Sequence, residues 1–369
     1  MRTPLQIVLI RDPRDRGTDV YADTLRLAFE GSAGTAGSSS AYLDDAVDLG
    51  IRVLEPTEGV TDKEVERLLD GAEHTVVVVI GEVHDPTSLF EMRLGRNNFV
   101  QVVAPLPPST GDMQGEKAQD GVEPALAPVV TALRTMQSAR RVLAQGTGDE
   151  DDDGKGSLKL FISHAKIDGV AMAKSLIAIL KQLREADQQN LEFEYFYDDE
   201  HLNPGVVWSQ VLDAEVRKSV LIALRTEGYE SRYWCRREFL SAECNGMPII
   251  VVDLRKAQYH ESALLPFDLV PTVRVHDGNV IRVLLHAMAA HLRALRVRSQ
   301  APSGVRVLPH RPSVYSLDGV SQVASVENTE KIAYPGPRLP DAFRRAVEPI
   351  LTQGSWQMKL VTFDDLEGC

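Results

Sequence analysis

Apolar positions along this 369-residue chain fall into short continuous runs separated by longer stretches of helical spacing. From residue 158 onward the alternation is regular. Leu158–Ser163, Phe193–Tyr197, Val220–Leu224, Ile249–Leu254 and Val273–His276 read as strands. Asp168–Ala186, Val206–Lys218, Tyr233–Asn245 and Val280–Leu295 read as helices. In the first of these helices Val170, Ala173, Leu176, Ile179, Leu180 and Leu183 recur every three or four positions, one apolar face of an amphipathic helix. Strands that are apolar throughout, each followed by a helix, predict a parallel sheet covered on both faces. Ligands of such sheets bind at the carboxyl ends of the strands, where the loops gather.

The N-terminal part has the same rhythm. Leu5–Ile10, Ile51–Leu54, Thr75–Ile80 and Val100–Ala104 read as strands, and Thr18–Phe29, Asp62–Leu69, Pro86–Leu94 and Pro128–Leu143 as helices. The spacing predicts a second α/β unit over residues 1–145, with a polar loop at 105–124. Residues 146–157 separate the two: five consecutive acids (149–153) between glycines bury nothing and repel one another, the pattern of a solvated linker. Past Ser299 the periodicity fails around Pro302, Pro309 and Pro312, and then Leu339–Leu351 reads as helix and Met358–Phe363 as strand. Residues 299–369 are therefore expected to form a small C-terminal extension.

Composition narrows the partners. With 43% hydrophobic and 25% charged residues the chain is globular in character. Its net charge of −13 opposes nucleic acid or an anionic membrane as the main partner. No apolar run reaches the roughly 18 residues that a membrane span needs. The N-terminal apolar run is cut short by Arg11 and Asp12 and predicts a first strand rather than a signal peptide. Three cysteines (Cys235, Cys244, Cys369) are too few and too unevenly spaced for a disulfide framework or a zinc site, so a reducing cytoplasm and no metal are expected. Glycine-rich phosphate cradles are absent from the sequence, and no bound cofactor is expected.

The helix predicted from Tyr233 carries Trp234, Cys235 and Glu238 in its first turns. A glutamate four residues after a tryptophan lies about 400° around the helix, so the two share a face. An indole and a carboxylate at the mouth of a parallel sheet suit a sugar-linked cation.

Three blocks set this helix in a wider pattern. Lys159-Leu-Phe-Ile-Ser-His164 ends the first strand of the second unit; Tyr197-Asp-Asp-Glu-His-Leu-Asn-Pro-Gly-Val-Val-Trp208 follows its second strand; Tyr229-Glu-Ser-Arg-Tyr-Trp-Cys-Arg-Arg-Glu238 opens the helix just described. In this order and spacing they resemble the three boxes of the Toll/interleukin-1 receptor (TIR) domain family, and the resemblance runs through residues 158–298. It implies a five-stranded, flavodoxin-like parallel sheet, with residues 1–145 a TIR-like or flavodoxin-like regulatory or assembly domain. Catalytic members of the family cleave NAD⁺ at the nicotinamide–ribose bond with the glutamate of the third box, here Glu238; others are adaptors that only assemble. The resemblance further implies Phe161, Ser163, His164, Lys166 and Trp234 at the substrate. For Phe161 and Trp234 a packing role stands open beside this one, since buried aromatics usually serve the core. Asp198, Asp199, Pro204, Gly205 and Trp208 are implied as a loop that gates the pocket and contacts a neighbouring TIR domain. Cys235 reads as a small buried filler. NAD⁺ as substrate, self-association through TIR domains, an activating ligand or protein, and a role in bacterial defence or signalling complete the expectations.

Overall fold

The computed structural model describes residues 3–11, 18–29, 53–54, 72–80, 99–104, 127–144, 158–186, 191, 193–201, 208–255, 270–274, 280–314, 317–321, 329–352 and 358–367. The chain divides into two compact units, Met1–Gly156 with Ile179–Glu192, and Ser157–Ala178 with Phe193–Cys369.

The first unit contains β1 (Thr3–Arg11), α1 (Asp19–Phe29), β2 (Val53–Leu54), β3 (Ala72–Ile80), β4 (Phe99–Ala104) and α2 (Ala127–Ala144). Its strands are all parallel, in the order β2-β1-β3-β4. Val76, Val77 and Val78 are buried in succession, which requires cover on both faces of the sheet. The helices expected at 62–69 and 86–94, the loop at 105–124 and the linker at 146–157 lie outside the described residues.

The second unit opens with β5 (Leu158–His164), the first part of α3 (Val170–Ala186, grouped with the first unit from Ile179 on), β6 (Phe193–Phe196) and the single turn α4 (Asp198–His201). It continues through α5 (Trp208–Val216), β7 (Val220–Arg225), a 3₁₀ turn at Tyr229–Ser231, α6 (Tyr233–Cys244), β8 (Ile249–Asp253), β9 (Thr272–Arg274) and α7 (Val280–Gln300). Its five strands are parallel in the order β6-β5-β7-β8-β9, the strand order of the flavodoxin-like doubly wound sheet. All six residues of β7 are buried, as befits a central strand with both faces covered. Leu221 and Ala223 join Phe161, Phe196, Leu212, Cys235, Phe239 and Ala242 in the core cluster under α5 and α6. Ile222 and Leu224, of opposite parity, are equally buried, while Val283, Leu284 and Ala287 are buried along α7, which packs on β7 and β8.

Helix α6 ends in a glycine. Gly246 has φ +67°, and the backbone N–H groups of Gly246 and Met247 donate to the carbonyls of Glu243 and Ala242 at 3.1 and 2.9 Å. That pair of bonds is a Schellman termination, which needs the left-handed residue. A Cβ on Gly246 would also sit 3.2 Å from the Val307 carbonyl, so the chain beyond residue 300 passes close to the end of α6.

That later chain forms β10 (Val305–Val307), β11 (Lys331–Tyr334), α8 (Asp341–Leu351), β12 (Lys359–Thr362) and α9 (Phe363–Glu367). Its strands make a second, parallel sheet, β10-β11-β12, over a separate core that includes Leu308, Leu317, Ile332, Tyr334 and Val347. The sequence pattern predicts the helix and the last strand here, but not β10 and β11.

Candidate active site

The strand order reverses between β5 and β7: the chain leaves β5 for β6 on one side and returns to β7 on the other. Doubly wound sheets open a crevice at that point, at the carboxyl ends of the two strands. Ser163 is the penultimate residue of β5, and α6 follows β7 through the loop 226–232.

Strand parity decides where Ser163 points. Phe161 belongs to the core cluster beneath α5 and α6, and residues two apart on a strand share a face. Ser163 therefore meets α6. On that helix Cys235, Phe239 and Ala242 enter the core at i, i+4 and i+7, and Glu238 borders the stripe on the side of Ser163. The Ser163 hydroxyl donates to Glu238 Oε2 at 2.6 Å and lies 2.7 Å from the hydroxyl of Tyr229, whose ring is fully buried.

The electrostatics follow from this enclosure. Burial pushes the Glu238 carboxyl up to about 7; the Ser163 hydrogen bond opposes the shift, and the charge of Asp198 adds to it. Burial likewise raises the Tyr229 phenol well above its ordinary value, with Cys235 and Glu238 contributing. The Cys235 thiol is pushed up to about 12 by burial and then by Glu238, and donates to the His164 carbonyl at 3.4 Å. It is a neutral, packed thiol and no nucleophile.

The loop that presents Tyr229 is fixed at both ends. Asp168 accepts from the Thr226 hydroxyl at 2.6 Å and from the Gly228 N–H at 2.8 Å. Arg225, at the end of β7, pairs with Glu230, and Arg255 reaches Glu230 at 3.7 Å while donating to both oxygens of Asp253 at 2.8 and 2.9 Å.

The expected site residues separate into groups. Ser163 and Glu238 meet directly. His164 and Lys166 gather around Asp198, His164 Nδ1 at 4.0 Å and Lys166 Nζ at 3.1 Å, and the His164 ring packs against Tyr197 with centroids 5.2 Å apart. Asp198 thus sits beside the residues expected to hold substrate, and its charge bears on Glu238 itself. Phe161 is a core residue: its buried ring stacks on Phe196 with centroids 5.0 Å apart, which removes it from the site surface. Trp234 goes the other way. It is 41% exposed, edge-on to Tyr233 and beneath Arg237, so it does not belong to the buried core. Asp199 lies in α4 and Trp208 opens α5, while Pro204 and Gly205 fall outside the described residues. Tyr229, quoted above only as the start of the third box, emerges as a further residue of the site. Its signal in the sequence is a lone tyrosine directly after the Gly228 turn.

Comparison of the chain with protein-family models and with curated proteins finds no match. Among the described residues no group of His, Cys, Asp and Glu could hold a metal ion, and no helix is long and apolar enough to cross a membrane. A half-buried carboxylate fed by a hydroxyl at the switch point can stabilise a developing cation or exchange a proton near neutral pH.

Proposed function

We propose that the second unit is a TIR-type NAD⁺ hydrolase and that Glu238 is its catalytic residue. The observation that carries this reading is the Ser163–Glu238 contact at the carboxyl end of β5, where the strand order reverses. Breaking the nicotinamide–ribose bond places positive charge on the ribose, in an oxocarbenium-like transition state. Nicotinamide departs as a neutral amide, so no acid is needed to protonate it. One ionised carboxylate beside the ribosyl cation then suffices, unlike the two that ordinary glycosidases use. Water attack yields ADP-ribose; capture by the adenine end of the same molecule yields a cyclic product.

Trp234, His164 and Lys166 complete the substrate surface in this reading, and Asp198 sets the charge around it. TIR–TIR contacts assemble the active form, in response to a ligand or partner protein, in the cytoplasm. Residues 1–145 serve as a TIR-like assembly or sensing domain, and the biological role is defence or signalling through the dinucleotide pool.

The test is NAD⁺ consumption by the full chain, with product chromatography, alone and under crowding that promotes assembly. Glu238→Gln is expected to lower turnover by about 10²–10³ or more, the usual cost of losing a preorganised electrostatic contact. Wild-type turnover is expected to climb as pH rises through about 7, as Glu238 ionises. Equal turnover in Glu238→Gln and the parent removes Glu238 from the mechanism. No turnover by an assembled wild-type chain leaves a TIR adaptor, acting through self-association alone, as the reading.

A further inference from the structure

The hydroxyl of Ser163 has one proton and two close neighbours, Glu238 Oε2 at 2.6 Å and the Tyr229 hydroxyl at 2.7 Å. An ionised carboxylate only accepts, so the serine proton lies on the Glu238 side. The contact with Tyr229 must then run in the other direction, from phenol to serine. We propose that Tyr229 is a positioning residue for Glu238, its buried phenol donating to Ser163 so that the serine proton is committed to the carboxylate. The proposal rests on the reading of Glu238 as the catalytic group and adds a residue that acts on it only through another.

The phenol is well placed for this. Tyr229 is 0% exposed and lies in the core cluster with Phe161, Cys235 and Phe239, so its ring has no room to swing. Its backbone is held by the Asp168 contacts to Thr226 and Gly228 on one side and the Arg225–Glu230 pair on the other. Burying a hydroxyl is costly without a partner, and the Ser163 contact supplies one. The chain of hydrogen bonds from Tyr229 through Ser163 to the accepting Glu238 carboxylate therefore crosses from the β7–α6 loop to β5 and back to α6, and fixes the carboxylate relative to the sheet.

The relay favours the ionised carboxylate, because it strengthens a hydrogen bond to that form. Other charges around the carboxylate are unaltered by removing the phenol oxygen. Asp198 bears on Glu238 from α4, itself flanked by Lys166 and by His164 from β5 and the turn after it. Cys235 stays a neutral thiol on α6, with Arg232 nearby.

The experiment titrates Glu238 in the full chain by carboxyl carbon NMR, with the signal assigned by its loss in Glu238→Gln, and no NAD⁺ present. Tyr229→Phe is expected to move the Glu238 midpoint upward by about half a unit or more, and Ser163→Ala by more than that. In the Ser163→Ala background, Tyr229→Phe is expected to add no further shift, as two links of one chain must behave. Ser163→Thr, which keeps the hydroxyl, restores the parental midpoint. The same order is expected in the pH profile of NAD⁺ turnover. An unchanged midpoint in folded Tyr229→Phe overturns the relay, and so does a shift that persists undiminished without Ser163. Should Tyr229→Phe fail to fold, an unchanged midpoint in Ser163→Ala overturns it equally. Because the titration needs no substrate, absence of turnover refutes the hydrolase reading without touching this result.

Discussion

Helix α6 carries two glutamates that the fold treats in opposite ways. Glu238 and Glu243 are five residues apart, about 140° around the helix, and flank the apolar stripe of Cys235, Phe239 and Ala242 on either side. Glu243 is 0% exposed, and Ser313 donates to both of its oxygens, the backbone N–H at 2.9 Å and the hydroxyl at 3.0 Å. The chain around it closes further: Arg306 donates to the Cys244 carbonyl at 3.3 Å and Arg298 to that of Gly246 at 2.8 Å, and a Cβ on Gly319 would lie 2.5 Å from Cys244 Sγ. Glu238 is half-buried and receives a single hydroxyl at one oxygen among the described residues. A carboxylate saturated with donors on both oxygens is a fastening. One that is desolvated yet under-provided, with its protonation poised near neutrality, is equipped for chemistry.

Removing the Glu243 fastening should have the largest effect on the fold. Glu243→Ala leaves the Ser313 N–H and hydroxyl without their acceptors in a buried place, and frees the C-terminal sheet from α6. A loss of about 3 kcal/mol is expected, since each orphaned buried group costs about 1–3 kcal/mol. Denaturant unfolding reads it as a lower midpoint. An unchanged midpoint would mean that the C-terminal chain is held to α6 by its apolar contacts alone.

Glu238 should respond with the opposite sign. Its folded carboxyl titrates near 7 and its ordinary value is 4.5. Between those values the folded protein retains a proton that the unfolded chain has released. Stability from this group is therefore fully present below about 4.5 and lost as pH rises through about 7. Gln at this position does not titrate, so Glu238→Gln is expected to be more stable than the parent above pH 7, by an amount on the order of 1–2 kcal/mol once partial exposure is allowed for. The advantage should vanish toward pH 4.5. Thermal unfolding of the two proteins at pH 8 and pH 5 checks it; a constant difference between them would show that Glu238 carries no proton-linked cost.

The strands of the second unit were legible in the sequence because burial on both faces leaves an uninterrupted apolar run, as in Val220–Leu224. Ser163 was legible from the box that ends β5 and Glu238 from the box that opens α6. The company kept by Asp198 was not: it depends on β6 pairing with β5, where Phe196 stands opposite Phe161 and brings the two following turns together. The two readings of Phe161, core and substrate surface, stayed open because its depth along β5, one rung below Ser163, depends on where α5 and α6 lie. In the C-terminal chain β10 has three residues and β11 four, at or below the shortest run that periodicity resolves. Glu243 gave no signal either, since its partner is 70 residues away in that same chain.

Trp234 tests the exposed side of Glu238 with the smallest expected effect on the fold. It precedes Glu238 by one turn on the same face, and its described ring contacts are Tyr233, edge-on at 5.3 Å, and the Arg237 guanidinium at 5.2 Å. An exposed cation–π contact is worth about 0.5–1 kcal/mol, so Trp234→Ala should change stability by no more than about 1 kcal/mol. If the indole forms one wall of the substrate surface, the same substitution raises the KM for NAD⁺ several-fold while the Glu238 titration stays put. A parental KM would return Trp234 to the solvent-facing surface of α6. The working side of the helix would then narrow to the carboxylate, the Ser163 hydroxyl that meets it from β5 and the charge of Asp198 on α4.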